Sequence, residues 1–291
     1  MIHGSLVAIV TPFKNGKIDE DALKKLIDFQ IENGTHGVVP CGTTGESPTL
    51  THEEHEYVIE LTVKAVNKRV PVIAGTGSNS TKEAIRLTRF AEEVGVDAAL
   101  LVAPYYNKPT QEGLYLHFRQ IASQVKIPLI LYNIPGRSVV NIQPETVARL
   151  AKDCPNIIGI KEASGSLVQA SRIFSLCGRN FLVLSGEDAL NFPLMCLGAQ
   201  GFITVTANVT PRDVAELYNH YAAGEIDKAR DLHYKLLPLN EALFLETNPI
   251  PVKAALSMMD KIAYEYRYPL CRMSEKYYEE LRGALVGYGL V

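Results

Sequence analysis

Leu129-Ile-Leu-Tyr132 and Ile157-Ile-Gly-Ile-Lys161 are two short apolar runs separated by a longer amphipathic stretch. Neither alternates apolar with polar residues, as a strand with one wet face does. Both read as strands buried on two faces, the condition of parallel strands covered by helices. The same unit recurs along the chain: Leu6–Val10, Gly37–Val39, Val72–Ala74, Ala98–Val102, Leu182–Leu184 and Phe202–Val205 complete a set of eight strand candidates. Helix starts are marked between them. Thr51-His-Glu-Glu54 and Ser80-Thr-Lys-Glu83 read as capping boxes, in which side chain and backbone satisfy each other's orphan donors. Pro211, behind Thr210, sits where a helix needs no N–H. Asp21–Ile31 carries Leu23, Leu26, Ile27 and Ile31 at helical spacing. The alternation predicts an α/β chain: a (β/α)8 TIM barrel over residues 1–224 and a C-terminal helical subdomain over residues 225–291, where no strand signal occurs. The competing plan, an open doubly wound sheet, wants a glycine-rich dinucleotide fingerprint after the first strand, and Thr11-Pro-Phe-Lys-Asn-Gly16 is not one.

Composition narrows the function classes. With 291 residues, 47% hydrophobic and 21% charged, the chain has the balance of a soluble globular protein and enough length for a full core. Lys and Arg number 29 against 32 Asp and Glu, a net charge of −3, which argues against nucleic-acid or membrane-surface binding. No apolar run approaches the ~20 residues of a membrane helix. The first residues, MIHGSLVAIVTPF, lack the basic start of a signal peptide. The five cysteines, at 41, 154, 177, 196 and 271, have no CxxC or CxxH spacing, so a cytoplasmic protein without a zinc site or disulfide framework is expected.

In a barrel the reactive residues belong at the C-terminal strand ends. Cys41-Gly-Thr-Thr-Gly-Glu46, Pro104-Tyr-Tyr-Asn-Lys-Pro109, Tyr132-Asn-Ile-Pro-Gly-Arg137, Lys161-Glu162 and Gly186-Glu-Asp188 all fall there. Lys161 ends an otherwise apolar strand and shares a face with Ile157 and Gly159. Turned inward, its amine is desolvated and its pKa falls, which suits attack on a carbonyl; turned outward, it is a solvated lysine or a partner for Glu162. Tyr132, on the adjacent strand, is either a proton donor and acceptor or a core tyrosine with a satisfied hydroxyl. Gly42-Thr-Thr-Gly45 offers N–H groups and hydroxyls to a carboxylate, and reads equally as a plain turn. Arg137 suits a carboxylate clamp or a solvated loop. His52 and His55 stand at i and i+3, where HEEH lacks the gap of a zincin motif, so they read as helix-surface histidines and no metal is expected.

Taken together, Gly42-Thr-Thr-Gly-Glu-Ser47, Ala74-Gly-Thr-Gly77, Pro104-Tyr-Tyr-Asn107, Leu131-Tyr-Asn-Ile-Pro135, Gly159-Ile-Lys-Glu162, Val205-Thr-Ala-Asn208 and Asn248-Pro-Ile-Pro-Val-Lys253 resemble, in order and spacing, the dihydrodipicolinate synthase family of the class I pyruvate-dependent aldolases and lyases. The resemblance covers essentially the whole chain. It implies a pyruvate imine on Lys161, without cofactor or metal, whose enamine condenses with aspartate semialdehyde to give 4-hydroxy-tetrahydrodipicolinate, the committed step of lysine and diaminopimelate biosynthesis. Tyr132, Thr43 and Tyr106 match the family's proton relay. Thr44, Gly186 and the backbone at Ile203 match its pyruvate site, and Arg137 its semialdehyde carboxylate site. The tyrosine matching Tyr106 crosses from a neighbouring subunit, which implies a dimer at least and a homotetramer as the usual state. Ser47, His52, His55, Asn79, Glu83 and Tyr105 match the site of feedback inhibition by L-lysine. Cys41, before the Thr-Thr turn, reads as an apolar filler. Three other readings compete: a sister lyase or aldolase such as an N-acetylneuraminate lyase, a binding-only barrel, and a metal-dependent class II aldolase. Arg137 argues against the first. The complete set Lys161, Tyr132, Thr43, Tyr106 and Arg137 argues against the second, and the scatter of the seven histidines against the third.

Overall fold

A computed structural model describes residues 2–291. Its eight parallel strands are β1 (Gly4–Ala8), β2 (Gly37–Val39), β3 (Ile73–Gly75), β4 (Ala98–Val102), β5 (Leu129–Asn133), β6 (Ile157–Glu162), β7 (Leu182–Ser185) and β8 (Gly201–Thr204). They alternate with α1 (Glu20–Glu32), α2 (His52–Val66), α3 (Thr81–Val94), α4 (Gln111–Ala122), α5 (Pro144–Asp153), α6 (Leu167–Cys177), α7 (Asn191–Leu197) and α8 (Pro211–Ala222). Three further helices follow, α9 (Ile226–Ala242), α10 (Ile250–Met258) and α11 (Glu275–Tyr288). The fold class is the (β/α)8 barrel, with the strands displaced from their expected bounds by at most two residues.

The chain forms two compact units, residues 72–203 and residues 2–71 with 204–291. In the first, β3 to β7 pair in chain order and in parallel. A bulge at Leu129/Ile130 skips Ile158, and from Ile130↔Gly159 onward the register sets Tyr132 opposite Lys161 and Asn133 opposite Glu162. Gly159 permits the close approach of β7, since a β-carbon there would lie 2.4 Å from the carbonyl oxygen of Leu182. Helices α3 to α6 cover these strands with Ala84, Leu114, Phe118, Val147, Leu150 and Ile173, all buried.

In the other unit β1 pairs in parallel with β2, Leu6 opposite Gly37. Leu23, Leu26 and Ile27 of α1 are buried as their spacing predicts. A small hairpin, Phe13–Lys14 with Lys17–Ile18, turns on Asn15-Gly16, both at positive φ. This Asn-Gly signal was legible in the sequence, and it is an addition to the expected eight strands. The backbone N–H groups of Asn15 and Gly16 donate to the Glu265 carboxylate at 2.8 and 2.5 Å.

The two expected capping boxes differ. At Thr51 the box is complete: Glu54 N–H donates to Oγ1 at 3.2 Å and Thr51 N–H to the Glu54 carboxylate at 3.0 Å. At Ser80 only the first half forms, because the Glu83 carboxylate accepts from the Ser78 hydroxyl instead.

Two buried groups carry testable energetics. Lys253, on α10 and fully buried, pairs with the buried carboxylate of Glu46. Burial pulls the lysine pKa down and Glu46 partly restores it. Lys253→Met leaves that carboxylate unpartnered by a cation and is expected to cost about 3–5 kcal/mol, read from urea unfolding. In the other unit His117 of α4 is buried, with Nδ1 2.8 Å from Thr81 Oγ1, and desolvation lowers its pKa from 6.5 to about 4. Its folded pKa is depressed, so the native state is not penalised above 6.5. As pH falls the unfolded chain protonates first, and stability is lost down to about pH 4. The full loss is on the order of 3 kcal/mol. Replacing His117 by Gln is expected to flatten the pH dependence of unfolding free energy in this window.

Candidate active site

Strand register builds the first part of the site. Tyr132 and Lys161 are 6% and 7% exposed, paired across β5 and β6, with Nζ 4.2 Å from the centroid of the tyrosine ring. A charged amine over an aromatic face gains from the ring quadrupole where water is scarce. The space for the lysine chain comes from the next strand end. A β-carbon on Gly186 would lie 2.8 Å from Lys161 Cε and 3.0 Å from Cγ, so only glycine leaves the side chain in place. Burial and the charge of Asp188 push the Glu187 carboxyl above its usual range, and Lys161 partly offsets them. Glu187 thus feels the amine electrostatically. The sequence reading had placed it at the strand ends without giving it a role, and its only signal was the Gly-Glu-Asp triplet.

Asn133 and Glu162 follow Tyr132 and Lys161 and, by strand alternation, occupy the opposite face. The Asn133 amide donates to the Glu162 carboxylate at 3.1 Å. Lys161 and Glu162 therefore sit in different surroundings, and the reading of Lys161 as a structural partner of Glu162 is not what the contacts show. Arg137 lies on a single helical turn, Pro135–Ser138, directly after β5, and is exposed in the chain. Ile203, in β8, is buried beside the β7 pairing.

After β4, Tyr106 is 88% exposed and held at φ +70°. It is not buried as Tyr132 and Lys161 are. Asn79, Glu83 and Tyr105 do come together. Burial and the Glu83 charge raise the Tyr105 pKa, while hydrogen bonds to Ser78 and the Asn79 backbone act against them. Asn107 also donates from its side chain to the Asn79 carbonyl at 2.9 Å.

The Thr-Thr turn belongs to the other unit. Gly45 N–H donates to Gly42 O at 3.1 Å, Glu46 N–H to Thr43 O at 3.1 Å, and Thr11 Oγ1 to Gly45 O at 2.7 Å. Thr44 is buried and accepts from Asn248 Nδ2 at 3.0 Å, whereas Thr43 is half-buried. Cys41 and Glu46 bracket the turn, both at φ +55°. The Lys253–Glu46 pair fixes its far end, with Arg267 N–H donating to Glu46 at 3.3 Å and the Arg267 guanidinium forked onto Glu54. These anchors carried no role in the sequence reading. Their signal was a lysine and a glutamate inside apolar or turn segments.

Ser47 opens a short helical turn, Ser47–Thr49, and His52 is half-buried on α2. The expectation of two helix-surface histidines is corrected at His55, which is 4% exposed because α2 turns that face toward Cys41. Cys41 Sγ donates to the His55 carbonyl at 3.6 Å, and burial raises the thiol pKa well above its usual value, so Cys41 is an inert filler. Among the described residues no group of three or more His, Cys, Asp or Glu side chains is arranged to hold a metal ion.

Known proteins are similar to this chain in both sequence and fold. The model of the Dihydrodipicolinate synthetase family matches residues 1–286. The 4-hydroxy-tetrahydrodipicolinate synthase of Thermodesulfovibrio yellowstonii is 62% identical over the full length of both chains. The chloride-inhibited dihydrodipicolinate synthase from Acinetobacter baumannii, crystallised with pyruvate, is 48% identical over the whole of both chains with a TM-score of 0.97. The synthase from Cyanidioschyzon merolae with lysine bound is 40% identical over 99% of both chains, with a TM-score of 0.96. The chain belongs to the dihydrodipicolinate synthetase family, and it is an enzyme with that family's lyase activity.

Proposed function

We propose that the condensation of pyruvate with L-aspartate 4-semialdehyde runs in this chain through an imine on Lys161. The observation that carries the reading is the buried Lys161 amine held over the Tyr132 ring, with Gly186 clearing its path. The Lys161 amine attacks the pyruvate ketone and water leaves. Loss of a methyl proton gives the enamine, whose carbon attacks the aldehyde. The amine of the former semialdehyde then displaces Lys161 at the imine carbon, closing the ring of 4-hydroxy-tetrahydrodipicolinate and freeing the lysine. No redox partner enters, and each proton lost at one step is returned at another.

Tyr132, Thr43 and Tyr106 are assigned to that proton traffic. Thr44, Gly186 and the backbone at Ile203 are assigned to pyruvate. Arg137 is assigned to the carboxylate of the semialdehyde, for which a planar guanidinium is the matching donor. Tyr106, largely exposed in a strained turn, suits a residue delivered to a neighbouring subunit, and a homotetramer in the cytoplasm is the assembly we assign. Feedback by L-lysine is assigned to Ser47, His52, His55, Asn79, Glu83 and Tyr105. The contacts among Ser78, Asn79, Glu83 and Tyr105 and the lysine-bound relative support it. Residues 225–291 are read as an appended helical subdomain.

The deciding experiment is borohydride reduction in the presence of pyruvate, followed by peptide mass spectrometry. A pyruvate-sized adduct on Lys161 is expected, and it should vanish in Lys161→Ala. An unmodified Lys161 in the folded protein, or an adduct on another lysine, overturns the assignment. Tyr132→Phe keeps the ring under the amine but loses the hydroxyl, so kcat should fall about 10²–10⁴-fold. Gly186→Ala pushes a methyl into the lysine chain, and a displacement near 1 Å corresponds to about 100-fold slower adduct formation in single turnover.

A further inference from the structure

A polar cluster around two buried side chains, Asn133 and Glu162, takes no part in the imine chemistry. It occupies the face of β5 and β6 opposite Tyr132 and Lys161. The Asn133 carboxamide is at its centre. Its Nδ2 donates to Asn141 Oδ1 at 2.8 Å and to Glu162 at 3.1 Å, and its Oδ1 accepts from Ile142 N–H at 2.9 Å. Gln169 of α6 donates from Nε2 to Asn141 Oδ1 at 3.0 Å and to Glu162 at 3.1 Å. Asn141 Nδ2 returns a bond to Gln169 Oε1 at 2.8 Å. Ser164 N–H completes the set, donating to Glu162 at 2.7 Å. Glu162 is buried, and the Asn133 and Gln169 amides and the Ser164 N–H that donate to it are uncharged. A carboxylate caged by oriented neutral donors is a rigid junction, because loss of one donor leaves a buried acceptor unpaired.

The junction matters for what it ties together. The segment after β5 departs from Asn133 and returns at Asn141 and Ile142, and both return points bond to the Asn133 side chain. Arg137 lies inside this closed segment. So does Val139, at φ +59°, a conformation that a β-branched residue keeps only where its surroundings hold it. The neighbouring Ser138 is buried and donates within the same turn, to Ile134 O or Val140 O, each at 2.9 Å. On its other side the junction grips Glu162, the residue after Lys161.

We propose that Asn133, Asn141, Glu162 and Gln169 are positioning residues that fix Arg137 relative to Lys161, and so set the enzyme's preference for an aldehyde that carries a carboxylate. The inference rests on the roles proposed above for Lys161 and Arg137. The four residues act through their neighbours on the opposite face and need not touch substrate themselves.

The test is a double-mutant cycle on the full-length enzyme. Asn141→Ala is expected to raise the KM for aspartate semialdehyde about 10-fold, with the KM for pyruvate and the rate of borohydride-trapped adduct formation within twofold of wild type. In an Arg137→Ala background the same substitution should change the semialdehyde KM less than twofold, since the side chain it positions is gone. Asn141→Ser, which keeps an acceptor, should recover part of the loss. A merely structural role predicts parallel losses for both substrates and additive effects in the cycle, and either result overturns the proposal, as does an unchanged semialdehyde KM. If Asn141→Ala does not fold by circular dichroism, Gln169→Ala breaks the junction from a half-buried position and is held to the same criteria. Wild-type enzyme without an adduct at Lys161 would instead defeat the proposed function.

Discussion

The register between β5 and β6 is the constraint on which the proposed chemistry depends. Parallel pairing alternates faces strictly, so a slip of one residue would exchange Tyr132 and Lys161 with Asn133 and Glu162. The bulge that skips Ile158 sets the phase of the pairing. On one face an amine lies over an aromatic ring, and on the other a carboxylate is caged by amides. Each arrangement would be costly in the other's place. The roles proposed for Tyr132 and Lys161 call for an open approach to a ketone, whereas the buried Glu162 carboxylate calls for donors around it. The two faces of one strand pair thus carry an amine over a ring on one side and a hydrogen-bonded carboxylate on the other.

Glycine does the complementary work. Gly159 lets the β7 backbone come close to β6, and Gly186 leaves the volume that the lysine chain occupies. Both are absences of side chain at points of close approach, and neither involves a positive φ. Positive φ values occur elsewhere, at Cys41, Glu46, Tyr106 and Val139, where loops carry proposed functional groups or their immediate neighbours. Such conformations cost on the order of 1–3 kcal/mol each and persist because surrounding contacts over-determine them. At Glu46 that role falls to the buried pair with Lys253 and the Arg267 backbone. The pair is a poor source of net stability, since desolvation of two ions cancels much of their attraction. It ties Glu46, at the end of the Thr43-Thr44 turn, to α10.

The histidines and cysteines show how burial changes a residue's meaning. His117 loses basicity in the core, Cys41 becomes a sealed thiol, and His55 turns inward against the strand-end turn. None of these side chains differs in kind from its exposed counterparts. For His117 and Cys41, what differs is the cost of a charge in their surroundings.

Much of the molecule was legible in one dimension. The eight apolar runs determined the strands, because burial on both faces demands uninterrupted apolar sequence, and a period of two placed Lys161 with Gly159 on one face. Thr51 and Glu54 determined a helix start through contacts only three residues apart. Local rules of this kind need no knowledge of the rest of the chain. The half-formed box at Ser80 marks their limit, since Ser78 competes for Glu83. Only tertiary structure decided that Lys253 meets Glu46, that Gly186 makes room for Lys161, and that Asn133, Asn141, Glu162 and Gln169 share one set of hydrogen bonds. Those outcomes depend on distances between residues remote in sequence, and no pattern of spacing along a chain encodes which buried donor will find which acceptor.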